Sequence, residues 1–360
     1  MKKLFFAAHS LDIGGIETAL VTLLNNLNHM GYEITLALEV KQGIFLNELN
    51  SSINVIEYMP SNSKFVPLRK ILNFIKRIRF IGKYKNKFDF SASFATYSLP
   101  AGFMARTASS NSALWVHADY LTLFNGDINK LKLFFENVHE DKYKHIVFVS
   151  NEAKESFLKA FPEESNKAVV CNNLIDYKKI KEKSLEKIEY NKDTRLVTFL
   201  NVGRHDEKQK KLTRLINACE RLKRDGEIFR VLMIGDGKDS KYYQELVKDK
   251  NLTNEIFFLG KKKNPYPYFK ISDCAVITSD YEGYPVFFVE SFVMGIPIIT
   301  TDVSDSKEEV DGKYGYVTKK NTEDIYNTMK KFLKEGYMIK ENFHPDEFNK
   351  KIMRKLESLF

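Results

Sequence analysis

The sequence predicts an α/β protein made of two wound, mainly parallel sheets in series. Three observations predict this. The chain has 360 residues, which suits two domains of roughly 150–200 residues each. Short β-branched and aromatic runs alternate with longer amphipathic stretches, the pattern of strands joined by crossover helices. That alternation stops in a Lys/Glu-rich stretch and then restarts.

In the first half the expected strands are Lys3–Ala8, Ile34–Leu38, Asn54–Tyr58, Phe90–Phe94, Ala113–Val116 and Ile146–Val149. Helix-length segments such as Glu17–Met30 and Asn151–Ala160 lie between them. The second half begins with a strand at Leu196–Val202 and continues with Phe229–Ile234, Ile256–Leu259, Cys274–Ile277 and Ile298–Thr301. Its expected helices are Leu212–Arg224, Lys241–Lys248 and Val286–Met294. Tyr177–Lys192 is rich in Lys and Glu and poor in large apolar residues, so it reads as a connection or as a solvated helix. The expected organisation is therefore a first domain over 1–176, a linker over 177–192 and a second domain over 193–342. A terminal helix over 343–360 spaces Phe348, Ile352, Leu356 and Leu359 on one face, which must dock on something.

Composition narrows the class. With 43% hydrophobic, 13% aromatic and 29% charged residues, the chain is neither disordered nor fibrous. Three scattered cysteines (Cys171, Cys219, Cys274) contain no CxxC pair. That excludes a disulfide framework and a cysteine zinc site and fits a reducing compartment. No apolar run reaches the ~18–20 residues of a membrane span. The apolar stretch Leu4–Ala8 breaks at His9, too early for a signal-peptide core of about 7–15 residues. The expected location is the cytoplasm.

Charge is unevenly placed. The formal net charge is +9. Between Glu57 and Asp89 stand nine basic residues (Lys64, Arg69, Lys70, Lys76, Arg77, Arg79, Lys83, Lys85, Lys87) and no acidic one, so the rest of the chain is balanced. On a helical wheel of Val66–Ile81, Leu68, Ile71, Leu72, Phe74, Ile75, Ile78 and Ile81 cover about half the circumference. Arg69, Lys70, Lys76 and Arg77 occupy much of the other half. Such a helix suits an anionic membrane surface, as a peripheral contact on the inner face of the cell membrane. Its plainer reading is a core-facing helix with a solvated basic face. Phe74, Phe80 and Tyr84 interleave with the charges, but no nucleic-acid-binding motif is present and no nucleic-acid partner is expected.

Three loops carry chemistry. The first strand ends in His9-Ser10-Leu11-Asp12-Ile13-Gly14-Gly15-Ile16-Glu17 before a helix. Adjacent glycines permit positive φ and close ligand approach, and a helix start offers free N–H groups to an anion. GxGxxG is absent, so a dinucleotide-binding dehydrogenase loses its main support. The second half opens with Gly203-Arg204-His205-Asp206-Glu207-Lys208-Gln209-Lys210-Lys211. Arg there could clamp a diphosphate bidentately and Lys could add a point charge. In Glu282-Gly283-Tyr284-Pro285-Val286-Phe287-Phe288-Val289-Glu290 two carboxylates stand eight residues apart. Glu290 falls in an apolar helical run, where a carboxylate needs a hydrogen-bonding partner: a ribose diol or a basic neighbour.

Taken in order, these residues resemble the retaining glycosyltransferases of the GT4 family, and with them the bacterial surface-polysaccharide enzymes. The similarity rests on the Gly14-Gly15 loop, Trp115-Val116-His117, Gly203-Arg204 with a following Lys, Gly235-Asp236-Gly237, Leu259-Gly260, and E-G-x-P-x4-E. It is strongest over 196–317. The resemblance implies the GT-B fold, two Rossmann-like domains facing across a cleft, with the first on the acceptor side and the terminal helix returning to it. It implies sugar transfer from a nucleotide-diphosphate sugar, UDP favoured over GDP, to a saccharide, lipid-linked saccharide or glycoprotein acceptor, as in capsule synthesis. Arg204 and Lys210 would grip the diphosphate, Glu290 the ribose hydroxyls and Glu282 the donor sugar. Gly203, Gly260, Gly283, Tyr284, Pro285, Val286 and Phe287 would line the donor site, with backbone amides around Tyr284–Phe287 facing the phosphates. Gly15 would let the first-domain loop approach the donor, and His117 would stand near the reacting sugar.

The Arg204–Lys210 spacing is one residue longer than the family's usual one, which leaves Lys208 and Lys211 as alternative phosphate ligands. Where the family often has a Gly-Gly turn after Ile298–Thr301, this chain reads Asp302-Val303-Ser304-Asp305-Ser306-Lys307-Glu308. No Asp-x-Asp pair sits in the proposed cleft, so neither a metal nor another cofactor is expected. A catalytically silent relative, binding a partner transferase in a glycosylation complex, is the other class of explanation. The intact set Arg204, Lys210, Glu282 and Glu290 disfavours it.

Overall fold

The computed structural model describes residues 1–12 and 14–360; Ile13 of the first glycine loop lies outside the described residues. The chain divides into two compact units, Met1–Leu174 with Asp346–Phe360, and Ile175–Pro345.

The first unit holds a seven-stranded, all-parallel sheet. Its strands are β1 (Lys3–Ala8), β2 (Glu33–Leu38), β3 (Asn54–Glu57), β4 (Phe90–Ser93), β5 (Ser112–Val116), β6 (His145–Phe148) and β7 (Ala168–Val170). They lie in the order β3-β2-β1-β4-β5-β6-β7. Leu4, Phe5, Phe6 and Ala7 are all fully buried, as a strand covered by helices on both faces requires. The helix Pro345–Glu357 buries Ile352, Met353 and Leu356. The chain then ends beside the amino edge of this sheet. Asn111 Nδ2 donates to the Leu359 carbonyl at 2.8 Å, and the rings of Phe360 and Phe90 lie 4.7 Å apart.

The second unit holds six parallel strands: β8 (Val197–Val202), β9 (Phe229–Ile234), β10 (Ile256–Gly260), β11 (Cys274–Ile277), β12 (Ile298–Thr301) and β13 (Gly315–Thr318). Their order is β10-β9-β8-β11-β12-β13. Tyr177–Lys183 is helical, capped by Asp176, whose carboxylate accepts from Lys179 N at 3.2 Å. It buries Ile180 and packs on the helices Tyr266–Ile271 and Val286–Met294.

In each sheet the strand order reverses beside the first strand of the unit, at β1/β4 and at β8/β11. All strands being parallel, every strand-to-helix loop of a unit leaves from one edge. Ligands of wound sheets bind at that edge, at the reversal.

The basic helix runs over Val66–Tyr84 and buries only Phe80. Phe65, Ile71, Phe74 and Ile78 are each more than half exposed. The core-facing reading of this helix is therefore corrected: its stripe of Ile, Leu and Phe is turned mostly to solvent, and its one buried side chain, Phe80, packs against Phe5, Tyr58 and Phe103.

Candidate active site

The β8/β11 reversal of the second unit gathers the chemistry. β8 ends at Val202 and leads into Gly203 and Arg204; β11 ends at Ile277 and leads into Thr278–Pro285. Lys210 Nζ reaches Glu282 Oε1 at 2.6 Å. Ser279 Oγ donates to the same oxygen at 2.6 Å. Gln209 Nε2 donates to the Tyr281 carbonyl at 3.3 Å and stands 3.5 Å from Glu282 Oε2. Arg204 donates to Gln209 Oε1 at 3.0 Å, so one side chain links it to the pair. Arg204 is otherwise exposed, while Glu282 is buried. The result is a buried carboxylate under one lysine, with an exposed guanidinium linked to it through Gln209.

The competing lysines are placed differently. Lys211 stands 3.6 Å from Asp280, which also takes Arg214 at 2.6 Å. Lys208 is exposed. Of the three, Lys210 alone meets Glu282.

Backbone packing explains the glycines of this edge. Gly235 has φ +149°, and a Cβ there would lie 1.8 Å from the Gly203 carbonyl oxygen. A Cβ on Gly237 would lie 2.3 Å from the His205 carbonyl oxygen. The Gly-Asp-Gly turn thus lets the loops after β8 and β9 touch. Gly260, φ +68°, ends β10 and accepts from Gly235 N at 3.1 Å.

Helix Val286–Met294 starts at the same edge. Its cap position is Pro285, with no side-chain cap and no acidic residue in the first turn. Tyr284 and Phe287 are buried beside it. Uncapped first-turn amides and the helix dipole favour an anion. Glu290 lies one turn in, half-buried, and its Oε1 accepts from Tyr266 Oη at 3.1 Å. Desolvation pushes its carboxyl up to about 7, against the smaller opposing effect of the Tyr266 hydrogen bond. Among the described residues it has no ion pair, so the basic neighbour considered from sequence is absent there.

The remaining two site candidates belong to the first unit. His117 follows β5; its ring packs on Phe94 at 4.5 Å and its Nε2 is buried without a partner. Burial lowers its pKa to about 3, so the ring is neutral, with a smaller opposing effect from a backbone hydrogen bond at Phe94. Gly15 opens the helix Gly15–His29, and a Cβ there meets nothing within 4 Å. Neither Gly14 nor Gly15 adopts a positive φ: Gly14 is extended at −174°. Gly15 leaves open space over a helix start that has no side-chain cap, whereas a Cβ on Gly14 would lie 2.2 Å from Glu17 Oε2.

Sequence reasoning missed Ser279, Gln209 and Tyr266. The first two adjoin residues it singled out, which was the available signal. Tyr266 sits in Asn264-Pro265-Tyr266-Pro267-Tyr268 with no local hint that it meets Glu290. Also missed was a small network at the carboxyl edge of the first sheet. Ser98, the cap of helix Leu99–Ala108, donates to Glu39 Oε1, and His9 Nδ1 lies 3.3 Å from Glu39 Oε2.

The chain is similar to several known proteins. The family model described as glycosyl transferases group 1 matches residues 181–352. An uncharacterized glycosyltransferase of Methanocaldococcus jannaschii is 27% identical over 227 residues, 57% of this chain and 55% of that protein, so the match spans about half that relative's length. The chain is 27% identical to an N-acetylgalactosaminyltransferase of Campylobacter jejuni that acts on a diphospho-undecaprenol-linked acceptor, over 94% of this chain and 92% of that one. It is 23% identical to an amylovoran biosynthesis glycosyltransferase of Erwinia amylovora, over 92% and 89%. The solved structure of Anabaena HepE with UDP and glucose superposes with TM-score 0.77 at 16% identity, covering 99% of this chain and all of that one. The fold is GT-B, and the matches support a glycosyltransferase. Narrowed one step, its full-length relatives include an enzyme of bacterial polysaccharide synthesis.

Proposed function

We propose that this protein is a retaining glycosyltransferase that moves a sugar from a nucleoside-diphosphate sugar to a saccharide acceptor in bacterial cell-surface polysaccharide synthesis. The observation that carries this reading is the β8/β11 constellation: Lys210 on Glu282, Arg204 one side chain away, and Glu290 behind an uncapped helix start. Arg204 and Lys210 hold the diphosphate together with the amides around Tyr284–Phe287. Glu290 accepts the ribose hydroxyls, and Glu282, released from part of its contact with Lys210, accepts from hydroxyls of the donor sugar. Gly203, Gly260 and Gly283 keep the backbone close to the nucleotide. UDP is the favoured carrier, in line with the UDP held by Anabaena HepE.

The chemistry follows from charge. As the bond between the anomeric carbon and the phosphate oxygen breaks, positive charge grows on the sugar and the electron pair passes to the diphosphate. Fixed cations beside that diphosphate stabilise the transition state more than the ground state. Arg204 and Lys210 supply that charge from the protein itself, so the reading requires neither metal nor other cofactor. The acceptor oxygen attacks from the face the phosphate leaves, and its proton goes to the departing phosphate oxygen, which gives retention. This scheme differs from glycoside hydrolysis, where two carboxylates flank the bond. Gly15 and His117 are assigned to the sugar side of the donor; a neutral His117 with a free Nε2 suits a hydrogen bond to a sugar hydroxyl.

The acceptor is read as lipid-linked, after the printed activity of the Campylobacter jejuni relative. The helix Val66–Tyr84, with its exposed apolar stripe and with Arg69, Lys70, Lys76 and Arg77, then lies on an anionic membrane surface. Release of nucleoside diphosphate from an NDP-sugar, with the product's anomeric configuration read by NMR, tests the reaction. An inverted linkage contradicts retention, and absence of release with every NDP-sugar contradicts the enzyme. Flotation with anionic vesicles tests the surface; equal flotation of a Lys76→Glu, Arg77→Glu variant removes it.

A further inference from the structure

The basic helix does more than present charge. Between it and the helix Leu99–Ala108 lies a groove of about 400 Å³ within the first unit, lined by Tyr58, Asn73, Phe74 and Phe103, with Lys70 and Arg77 at its side. Lys70 and Arg77 are seven residues apart, two helical turns, and so share a face. The stretch between Glu57 and Asp89 offers no carboxylate to neutralise them. The Arg77 guanidinium carbon lies 5.1 Å from the centre of the Phe103 ring, which sets it beside the groove. Asn73 is held by Ser61 N, which donates to its Oδ1 at 2.6 Å.

An apolar trough with two cations on one side is a site for a molecule that is anionic at one end and hydrocarbon at the other. We propose that this groove takes a single phosphate-headed, long-chain amphiphile, the phosphate on Lys70 and Arg77 and the first part of the chain against Phe74 and Phe103. This rests on the reading of the helix as a membrane-surface element and deepens it, from attraction to bulk anionic lipid to a site for one molecule.

The test uses the full chain and farnesyl phosphate as a soluble probe, with farnesol and inorganic phosphate as its separated halves. Thermal stability is titrated with each, and flotation is measured with phosphatidylcholine vesicles with and without phosphatidylglycerol. The account expects saturable stabilisation by farnesyl phosphate. Binding should weaken at least about tenfold in a Lys70→Gln, Arg77→Gln variant, as loss of charge-assisted contacts does. It should be retained in a Lys83→Gln, Lys85→Gln variant of equal charge. Leu99→Trp, at an exposed position on the rim, should block the probe while leaving flotation on anionic vesicles intact. Equal stabilisation by farnesol, or by inorganic phosphate, overturns the proposal, as does equal loss in the two charge variants. Flotation without farnesyl phosphate binding overturns the groove and keeps the membrane reading. Farnesyl phosphate binding without flotation keeps the groove and removes the membrane reading.

Discussion

Lys210 and Glu282, 72 residues apart in sequence, form an ion pair at 2.6 Å across the β8/β11 reversal. The lysine side chain is 24% exposed and the carboxylate 9%. Two loops that a ligand would have to address together are joined by this pair and by Gln209 Nε2 on the Tyr281 carbonyl.

Removing Lys210 therefore strands a buried charge. Lys210→Ala should cost about 1–3 kcal/mol, the usual penalty for an unsatisfied buried group. Lys210→Ala combined with Glu282→Ala should cost less than the sum, with a coupling of about 0.5–3 kcal/mol in a urea double-mutant cycle. Strict additivity would mean that the pair is not formed in solution.

Arg204 has no such structural duty: it is exposed, and among the described residues its polar contacts are Gln209 and, at 3.8 Å, Asp206. Arg204→Ala should leave the melting temperature nearly unchanged and lower kcat by about 10²–10³, the range for losing one transition-state donor. A large drop in stability with unchanged kcat would reverse this assignment.

Glu290 should make the protein pH-sensitive. Its carboxyl is raised from 4.5 to about 7 by desolvation, so the folded state keeps a proton that the unfolded chain loses. Between about pH 4.5 and 7 this residue's contribution to stability falls as pH rises. Glu290→Gln should remove that slope, measured as the difference between the two proteins in thermal unfolding across the window. If the ionised carboxylate is the form that binds ribose, nucleotide affinity in the wild type should rise by up to about tenfold per unit below pH 7 and level off above it. The variant should show no such rise. A flat wild-type profile would place the ribose elsewhere.

The glycines separate structure from function. Gly235→Ala meets both a positive φ and the Gly203 carbonyl oxygen, and should destabilise by at least about 1–3 kcal/mol. Gly15→Ala places its methyl in open space at a helix start, so the melting temperature should hold while turnover drops. Comparing melting temperature and kcat for both variants checks the distinction; the opposite pattern would make Gly15 a folding residue.

Much of the architecture was legible because parallel strands covered on both faces are continuous apolar runs, and Lys3–Ala8, Phe229–Ile234 and Cys274–Ile277 read as strands without ambiguity. Ala168–Val170 did not, being three residues at a sheet edge, and neither did Gly315–Thr318, whose residues are weakly apolar. The conformation at Gly14 and Gly15 was not legible because glycine permits positive φ without requiring it. In the site, Arg204, Lys210, Glu282 and Glu290 stood out because each is a charge in a glycine-rich or apolar setting. Tyr266 did not, since its meeting with Glu290 is set by how helices Tyr266–Ile271 and Val286–Met294 pack. The basic helix was legible as amphipathic, but only the structure turns its apolar stripe outward.

The central claim is that this protein binds a nucleoside diphosphate through Glu290. The most direct test is thermal stability of the wild type and of Glu290→Ala with UDP, GDP, ADP and CMP. At about 100 times its Kd, a nucleotide should add about 2.7 kcal/mol of stability. The account predicts that UDP does so with the wild type and loses its effect in a folded Glu290→Ala protein. No stabilisation by any nucleotide, or equal stabilisation of both proteins, would contradict it.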